Sequence, residues 1–278
     1  MLTPELEAFY RSNGYVIVPG LFSPEEVERY LAHYMALRRY PREGDSAGVA
    51  ADRLQDTNQQ YPRMIHMHRW DDLSLQWLLD PRLNAVMTTL IGREPYAVQT
   101  MLYYKPPGAR GQALHQDQFY LKVKPGTCLA AWMPLDDCDE ANGCLQVVPG
   151  SQGWELLCTQ AADTTVSFTD VTVPLPPGTE VRPAVMRAGD VLFFNGSLVH
   201  GSYANTSRDR FRRALIGHYI DGAAEEVGAY YHPALRMDGT VVELGEGQGS
   251  TACGVWVESD GTPIIELAGL EDRRRKHE

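Results

Sequence analysis

The sequence predicts a mainly β protein, a sandwich or barrel led in by helices. From Tyr96 onward, short β-rich runs recur between turn residues, and no helical pattern alternates with them. That excludes a βαβ arrangement. The first 95 residues instead carry helical periodicity with its start and stop signals. A length of 278 residues fits one such domain with decorations, because barrels and sandwiches run to roughly 250 residues as one unit.

Taken in order, "TPELEAFYRSNG" reads as a first helix, capped by Thr3, with Pro4 in its first turn and Gly14 at its end. "YVIVPG" is a short strand. "SPEEVERYLAHYMALRRY" is a second helix, with Ser23 and Glu26 in capping-box spacing and an apolar stripe through Val27, Tyr30, Leu31, Tyr34 and Leu37. Residues 41–63 are polar and read as a loop, and "DPRLNAVMTTLIG" is a third helix ended by Gly92. The strand candidates then run "YAVQTMLYYK", "ALHQDQFYLKV", "TCLAAWMPL", "GCLQVVPG", "VTVPL", "DVLFFNGSLVHGSY" and "RRALIGHYI", with "ANG" at 141–143 as a hairpin-type turn. Residues 222–278 add "TVVELG", the pair "GVWVES" and "TPIIELAG", and a charged tail, "EDRRRKHE", expected to be solvated.

Hydrophobic content of 44% and charged content of 22% are those of an ordinary globular protein. The net charge of −11 argues against nucleic acid or an anionic membrane as partner. No stretch reaches the ~18 apolar residues of a membrane span. "MLTPELEAFY" lacks the basic flank and apolar core of a signal peptide. Five cysteines, an odd number without a C-x-x-C pair, point to reduced thiols and a cytoplasmic location. The expected partner is a small molecule, with homo-oligomerisation left open.

Chemistry concentrates in "ALHQDQFYLKV". On a strand, residues two apart share a face, so His115 and Asp117 converge while Gln116 points away. The pair is either the polar face of a surface strand or two of three metal ligands. His200, at the end of the apolar run "DVLFFNGSLVH", is the best third ligand. Two histidines and a carboxylate leave three octahedral positions open, the arrangement of non-haem Fe(II) sites. Twelve residues past His200 stands Arg212, a natural bidentate clamp for a dicarboxylate. Strand parity sets Arg212, Ala214, Ile216 and His218 on one face and Arg213 on the other.

The motifs "MLYYKPPG…ALHQDQFY", "AAWMPLDDCDEANGCLQVVPGSQ", "GDVLFFNGSLVHGS" and "FRRAL", with the N-terminal "FYRSNGYVIVPGLFSPEEV", resemble the phytanoyl-CoA dioxygenase family of Fe(II)/2-oxoglutarate oxygenases over roughly residues 5–220. The resemblance implies a double-stranded β-helix (jelly roll) core over 96–221. A helical part over 1–95 packs on it, 222–278 is an extension, and all lie within one oxygenase domain. It implies iron on His115, Asp117 and His200, and 2-oxoglutarate held by Arg212 and Ser202, with Arg213 the alternative clamp. Met101, Gln116 and Trp132 fall at co-substrate positions. The implied reaction hydroxylates or otherwise oxidises a C–H bond, using O2 and turning 2-oxoglutarate into succinate and CO2. The carboxylate of Asp117 separates it from halogenating relatives, which lack one there. The departure "PGSQ" puts Gln152 where relatives often carry histidine.

Other polar and aromatic residues are open to two readings. His66 and His68 in "RMIHMHRW" either meet the substrate or bond structurally. Lys105 either contacts a substrate anion or is a solvated strand end. Tyr103 and Phe119 share parity with Met101 and Asp117, and line the pocket or pack the barrel. His218 is expected to bond a neighbour. Asp136, Asp137, Asp139 and Glu140 read as a solvated turn. Two rival functions compete with the oxygenase: a redox-neutral jelly-roll metalloenzyme, which needs no arginine clamp, and a non-catalytic binding module, which needs no complete triad.

Overall fold

A computed structural model describes residues 2–39 and 61–269. Most of the predicted 41–63 loop and the whole "EDRRRKHE" tail lie outside the described residues. Helix α1 (Pro4–Asn13) starts on Thr3 and stops at Gly14, whose φ of +78° is costly for any residue with a Cβ. Strand β1 (Tyr15–Val18) follows. Both halves of the Ser23–Glu26 capping box open α2 (Pro24–Leu37). After β2 (Met64–Ile65) comes α3 (Asp72–Leu78), absent from the sequence reading because "DLSLQWL" is too short to display a period. It is held by Asp71, which accepts from the Ser74 amide. Helix α4 (Pro81–Ile91) runs from Asp80 to Gly92.

The chain then continues through β3 (Tyr96–Lys105), β4 (Gln112–His115), α5 (Gln118–Leu121), β5 (Cys128–Pro134), β6 (Leu145–Val147), β7 (Gln160–Ala161), β8 (Val171–Thr172) and β9 (Arg182–Ala184). Next are β10 (Val191–Asn195), β11 (His200–Ser202), β12 (Arg212–Ile220), β13 (Glu226–Val227), β14 (Ala234–Leu235) and β15 (Val241–Val242). Last come β16 (Gly245–Glu246), β17 (Ala252–Ser259) and β18 (Thr262–Gly269).

Two antiparallel sheets make the jelly roll. The larger is ordered β1-β10-β5-β12-β3-β14-β15, with β2 on β3, and the smaller β4-β11-β6-β9. Alternation along the large sheet builds two cores. Leu102, Met133, Phe193, Leu215 and Tyr219 pack with Trp77, Leu83 and Met87 of the helices. Their neighbours Trp132, Phe194, Ala214 and Ile216 meet Leu145 and Val147 of the small sheet inside the barrel. Each large apolar side chain so buried contributes about 1.5–3 kcal/mol. The sheet also draws on both flanks of 96–221, with β1 on one edge and β14 and β15 on the other.

Two expectations are corrected. "ALHQDQFYLKV" is not one strand: β4 ends at His115, and Asp117 is helical (φ −62°, ψ −33°) at the start of α5. Side chains take over where the ladder stops. Gln116 accepts from the Leu157 amide (2.8 Å) and donates to the Ser197 carbonyl (2.9 Å), while Gln118 accepts from the Cys128 amide (3.0 Å). The cysteines are not all reduced. Cys158 is disulfide-bonded to Cys253 on β17, a partner 95 residues away that no local spacing discloses. Cys128, Cys138 and Cys144 are free and buried. Among the described residues no helix is long and apolar enough to cross a membrane.

Alkylation of the denatured, unreduced protein is expected to label the three free cysteines and spare Cys158 and Cys253. After reduction all five are labelled; mass spectrometry reads both counts.

Candidate metal and co-substrate site

Strands β4 and β11 pair with His115 directly opposite His200, so ladder register brings the two imidazoles together, 4.2 Å between ring centres. Each ring is fixed by the same local device. The Nδ1–H of His115 donates to the Ala113 carbonyl (2.9 Å), and that of His200 to the Leu198 carbonyl (3.0 Å). Both Nε2 atoms are thereby left as acceptors, that of His115 with the Gln112 side-chain amide nitrogen at 3.2 Å. They face the Asp117 carboxylate, 3.4 Å from Oδ1 and 3.7 Å from Oδ2 respectively. All three side chains are buried, and one ligand atom from each lies within 4.8 Å of the others.

Asp117 is held from behind. His218 Nε2 lies 3.0 Å from its Oδ2, and since a carboxylate only accepts, that nitrogen carries the proton. The other ring nitrogen of His218 is 2.8 Å from the Gln99 carboxamide. Burial opposes the charge on Asp117, yet the surrounding imidazoles of His200, His218 and His115 hold its carboxyl well below the usual range. Burial, reinforced by His115, pushes the His200 imidazole down to about 4. A carboxylate and a neutral imidazole are the forms that bind a metal.

The triad opens into a cavity of about 210 Å3 that also contains Arg212, Ser202, Trp132, Met101 and Tyr103. Arg212 is 2% exposed. Its Nε donates to the Gly143 carbonyl (3.1 Å), its guanidinium lies over the Trp132 ring, and its Nη1 is buried with no hydrogen-bond partner among the described residues. Burial lowers its pKa to about 10, which leaves it a cation at neutral pH. Arg213, one residue on, faces away and is committed to Asp136, whose Oδ2 accepts from both its Nε and its backbone amide at 2.8 Å. That ion pair, with a second between Asp139 and Arg210, also corrects the reading of the acidic turn as merely solvated.

Several residues stand elsewhere than expected. Gln116 does not line the cavity; its amide is spent on the loop contacts that end β4. Phe119 does not follow the parity of Asp117, because the chain turns helical there; it is 45% exposed in a neighbouring groove. Lys105 is neither solvated nor at a cavity wall, but 3% exposed behind Ser202. His68 is bound to Thr100, its Nδ1 3.0 Å from Oγ1. His66 adopts φ +56°, rare for a residue with a Cβ, lies tilted against Tyr230 with 4.6 Å between ring centres, and has both ring nitrogens buried without a partner among the described residues. Missed by the sequence reading were Gln99, Gln112, Tyr120, Tyr230 and Tyr231, all cavity-lining. Only Gln112, three residues before His115 of the H-x-D run, carried a local signal.

A jelly roll with a buried His-Asp-His set and an unpaired arginine in one cavity defines the class: a non-haem iron, 2-oxoglutarate-dependent oxygenase. The family model described as phytanoyl-CoA dioxygenase (PhyH) matches residues 10–214. A peroxisomal phytanoyl-CoA dioxygenase of Bos taurus is 26% identical over 261 residues, 88% of this chain and 76% of that protein. Phytanoyl-CoA dioxygenase 1 of Oryza sativa is 30% identical over 156 residues, 56% of this chain and about half (55%) of that one. The epimerase SnoN, solved in complex with Fe3+, alpha ketoglutarate and nogalamycin RO, is similar in fold with a TM-score of 0.63. It is 25% identical, with 95% of this chain and 97% of that one covered. The chain belongs to the phytanoyl-CoA dioxygenase family.

Replacing His218 by leucine is expected to weaken Mn(II) binding about 10- to 100-fold, as loss of a ligand-orienting partner does. Titration calorimetry reads it, and an unchanged affinity removes His218 from the support of Asp117.

Proposed function

We propose that the chain oxidises a C–H bond of a small organic metabolite, with His115, Asp117 and His200 holding Fe(II) and Arg212 and Ser202 holding the distal carboxylate of 2-oxoglutarate. The observation that carries this is the unpartnered Nη1 of a buried arginine in the same cavity as the triad. A redox-neutral metalloenzyme has no use for it. When bound, the iron with 2-oxoglutarate and O2 supplies the oxidising power: substrate C–H becomes C–OH while 2-oxoglutarate leaves as succinate and CO2.

What the chain's own residues do follows from their chemistry. Arg212 and Ser202 offer N–H and O–H donors to one carboxylate, and the Trp132 face and Met101 exclude water around them. His115 and His200 present fixed lone pairs, and His218 keeps the Asp117 carboxylate turned toward them. The 210 Å3 cavity is smaller than the roughly 300–1,000 Å3 that drug-sized ligands occupy, so it suits the co-substrate and only the reacting end of the substrate. The remainder of the substrate lies in the adjoining groove of about 590 Å3, which shares Tyr120, Tyr230 and Tyr231 with the cavity and includes Phe119. Tyr103 walls the reacting end. A net charge of −11 gives the protein little footing on nucleic acid or anionic lipid.

Succinate release on adding Fe(II), ascorbate and 2-oxoglutarate tests the reading, and its absence from well-folded protein across lipid, terpenoid, amino-acid and sugar panels sinks it. Arg212→Gln is expected to raise the KM for 2-oxoglutarate about a hundredfold, since it removes a buried charged partner. Arg213→Gln shifts it less than about threefold and lowers thermal stability instead, because its ion pair is structural.

A further inference from the structure

Lys105 is a buried lysine without an acid. It ends β3 directly opposite Arg212 on β12, and among the described residues no carboxylate lies within ion-pair distance of either. Its Nζ donates to the Ser202 hydroxyl oxygen at 2.8 Å and to the Tyr203 carbonyl. Gln112 also donates its backbone N–H to the Ser202 oxygen, at 3.1 Å. A serine oxygen has two lone pairs, and here both are taken. The remaining valence is the O–H bond, on a side chain that is 4% exposed and lines the cavity beside Arg212. Its proton can be given only to something in that cavity.

We infer that Lys105 is a positioning residue for the co-substrate: by filling a lone pair of Ser202 it makes that hydroxyl an obligate donor, so that the pocket around Arg212 favours a carboxylate, which only accepts, over an amide, whose NH2 end would meet a donor. The inference rests on the proposed 2-oxoglutarate site and adds to it the source of its selectivity. The space for Lys105 is prepared by Gly143, at φ +88°, where a Cβ would stand 2.6 Å from the lysine Cδ; the carbonyl of the same glycine receives Arg212 Nε. Burial first, and then the charge of Arg212, push the amine well below its ordinary range.

The test is anaerobic calorimetry of the Mn(II)-loaded protein with 2-oxoglutarate and with its distal amide, 2-oxoglutaramate, for wild type, K105M, S202A and the double variant. K105M is expected to bind Mn(II) normally, to lose about tenfold in 2-oxoglutarate affinity, and to discriminate less against the amide. In the S202A background the same change is expected to cost nothing further, since the effect runs through the hydroxyl. K105Q, which keeps a shorter donor, is measured alongside, and is expected to fall between wild type and K105M; it carries the test if K105M does not fold. Wild-type affinity and discrimination in the lysine variants, or a full penalty persisting without Ser202, overturns the inference alone. Failure of the wild-type protein to bind 2-oxoglutarate overturns the functional reading and the inference with it.

Discussion

A guanidinium with 2% exposure and, among the described residues, no carboxylate beside it is the constraint on which the cavity is built. Several kcal/mol are at stake when an ion leaves water, and the fold meets that cost only in part. One carbonyl, from Gly143, and the face of Trp132 are what Arg212 receives. The acid that could neutralise an arginine here, Asp136, is given to Arg213 instead. Strand alternation separates the two neighbours, sending one side chain into the barrel and the other to the outside. The inward charge is thus left for an anion from solution.

The metal ligands depend on regular structure in a different way. Both histidines donate Nδ1–H to a carbonyl two residues earlier in their own chain, and the β4–β11 ladder places them opposite one another. Tautomer and distance are therefore set by backbone geometry, with few additional side chains. Asp117 has no such support from its own backbone, because it sits past the end of the strand. Its support comes from across the barrel, through His218 and then Gln99 on the large sheet. The two sheets are consequently tied to one another at the triad.

Much of this was legible in the sequence, and the failures have physical causes. The capped helices α1, α2 and α4 and the inward face of β12 follow from local signals, because capping and period-2 alternation act over a few residues. His115 and Asp117 were paired correctly in space on an incorrect premise, a continuous strand. Side-chain hydrogen bonds from Gln116 and Gln118 replace the ladder there, and alternation cannot anticipate that. The same break moved Phe119 out of the cavity and turned Gln116 from it. Lys105 was misjudged because its partners are 97 and 98 residues away in sequence, and the Cys158–Cys253 bond for the same reason at a separation of 95. Tyr230 and Tyr231 had no pattern at all; their place in the wall is a product of tertiary packing.

Those two tyrosines lie in a short 3-10 turn, Ala229–Tyr231, beyond the stretch 10–214 that the family model matches. The triad, Arg212 and Ser202 all fall inside that stretch. Reactivity and part of the wall nearest the groove are therefore written on separate lengths of chain that meet at one cavity. A lineage built this way can inherit its oxidising apparatus intact while redrawing the turn at 229–231, so that new compounds come within reach of an unchanged reaction.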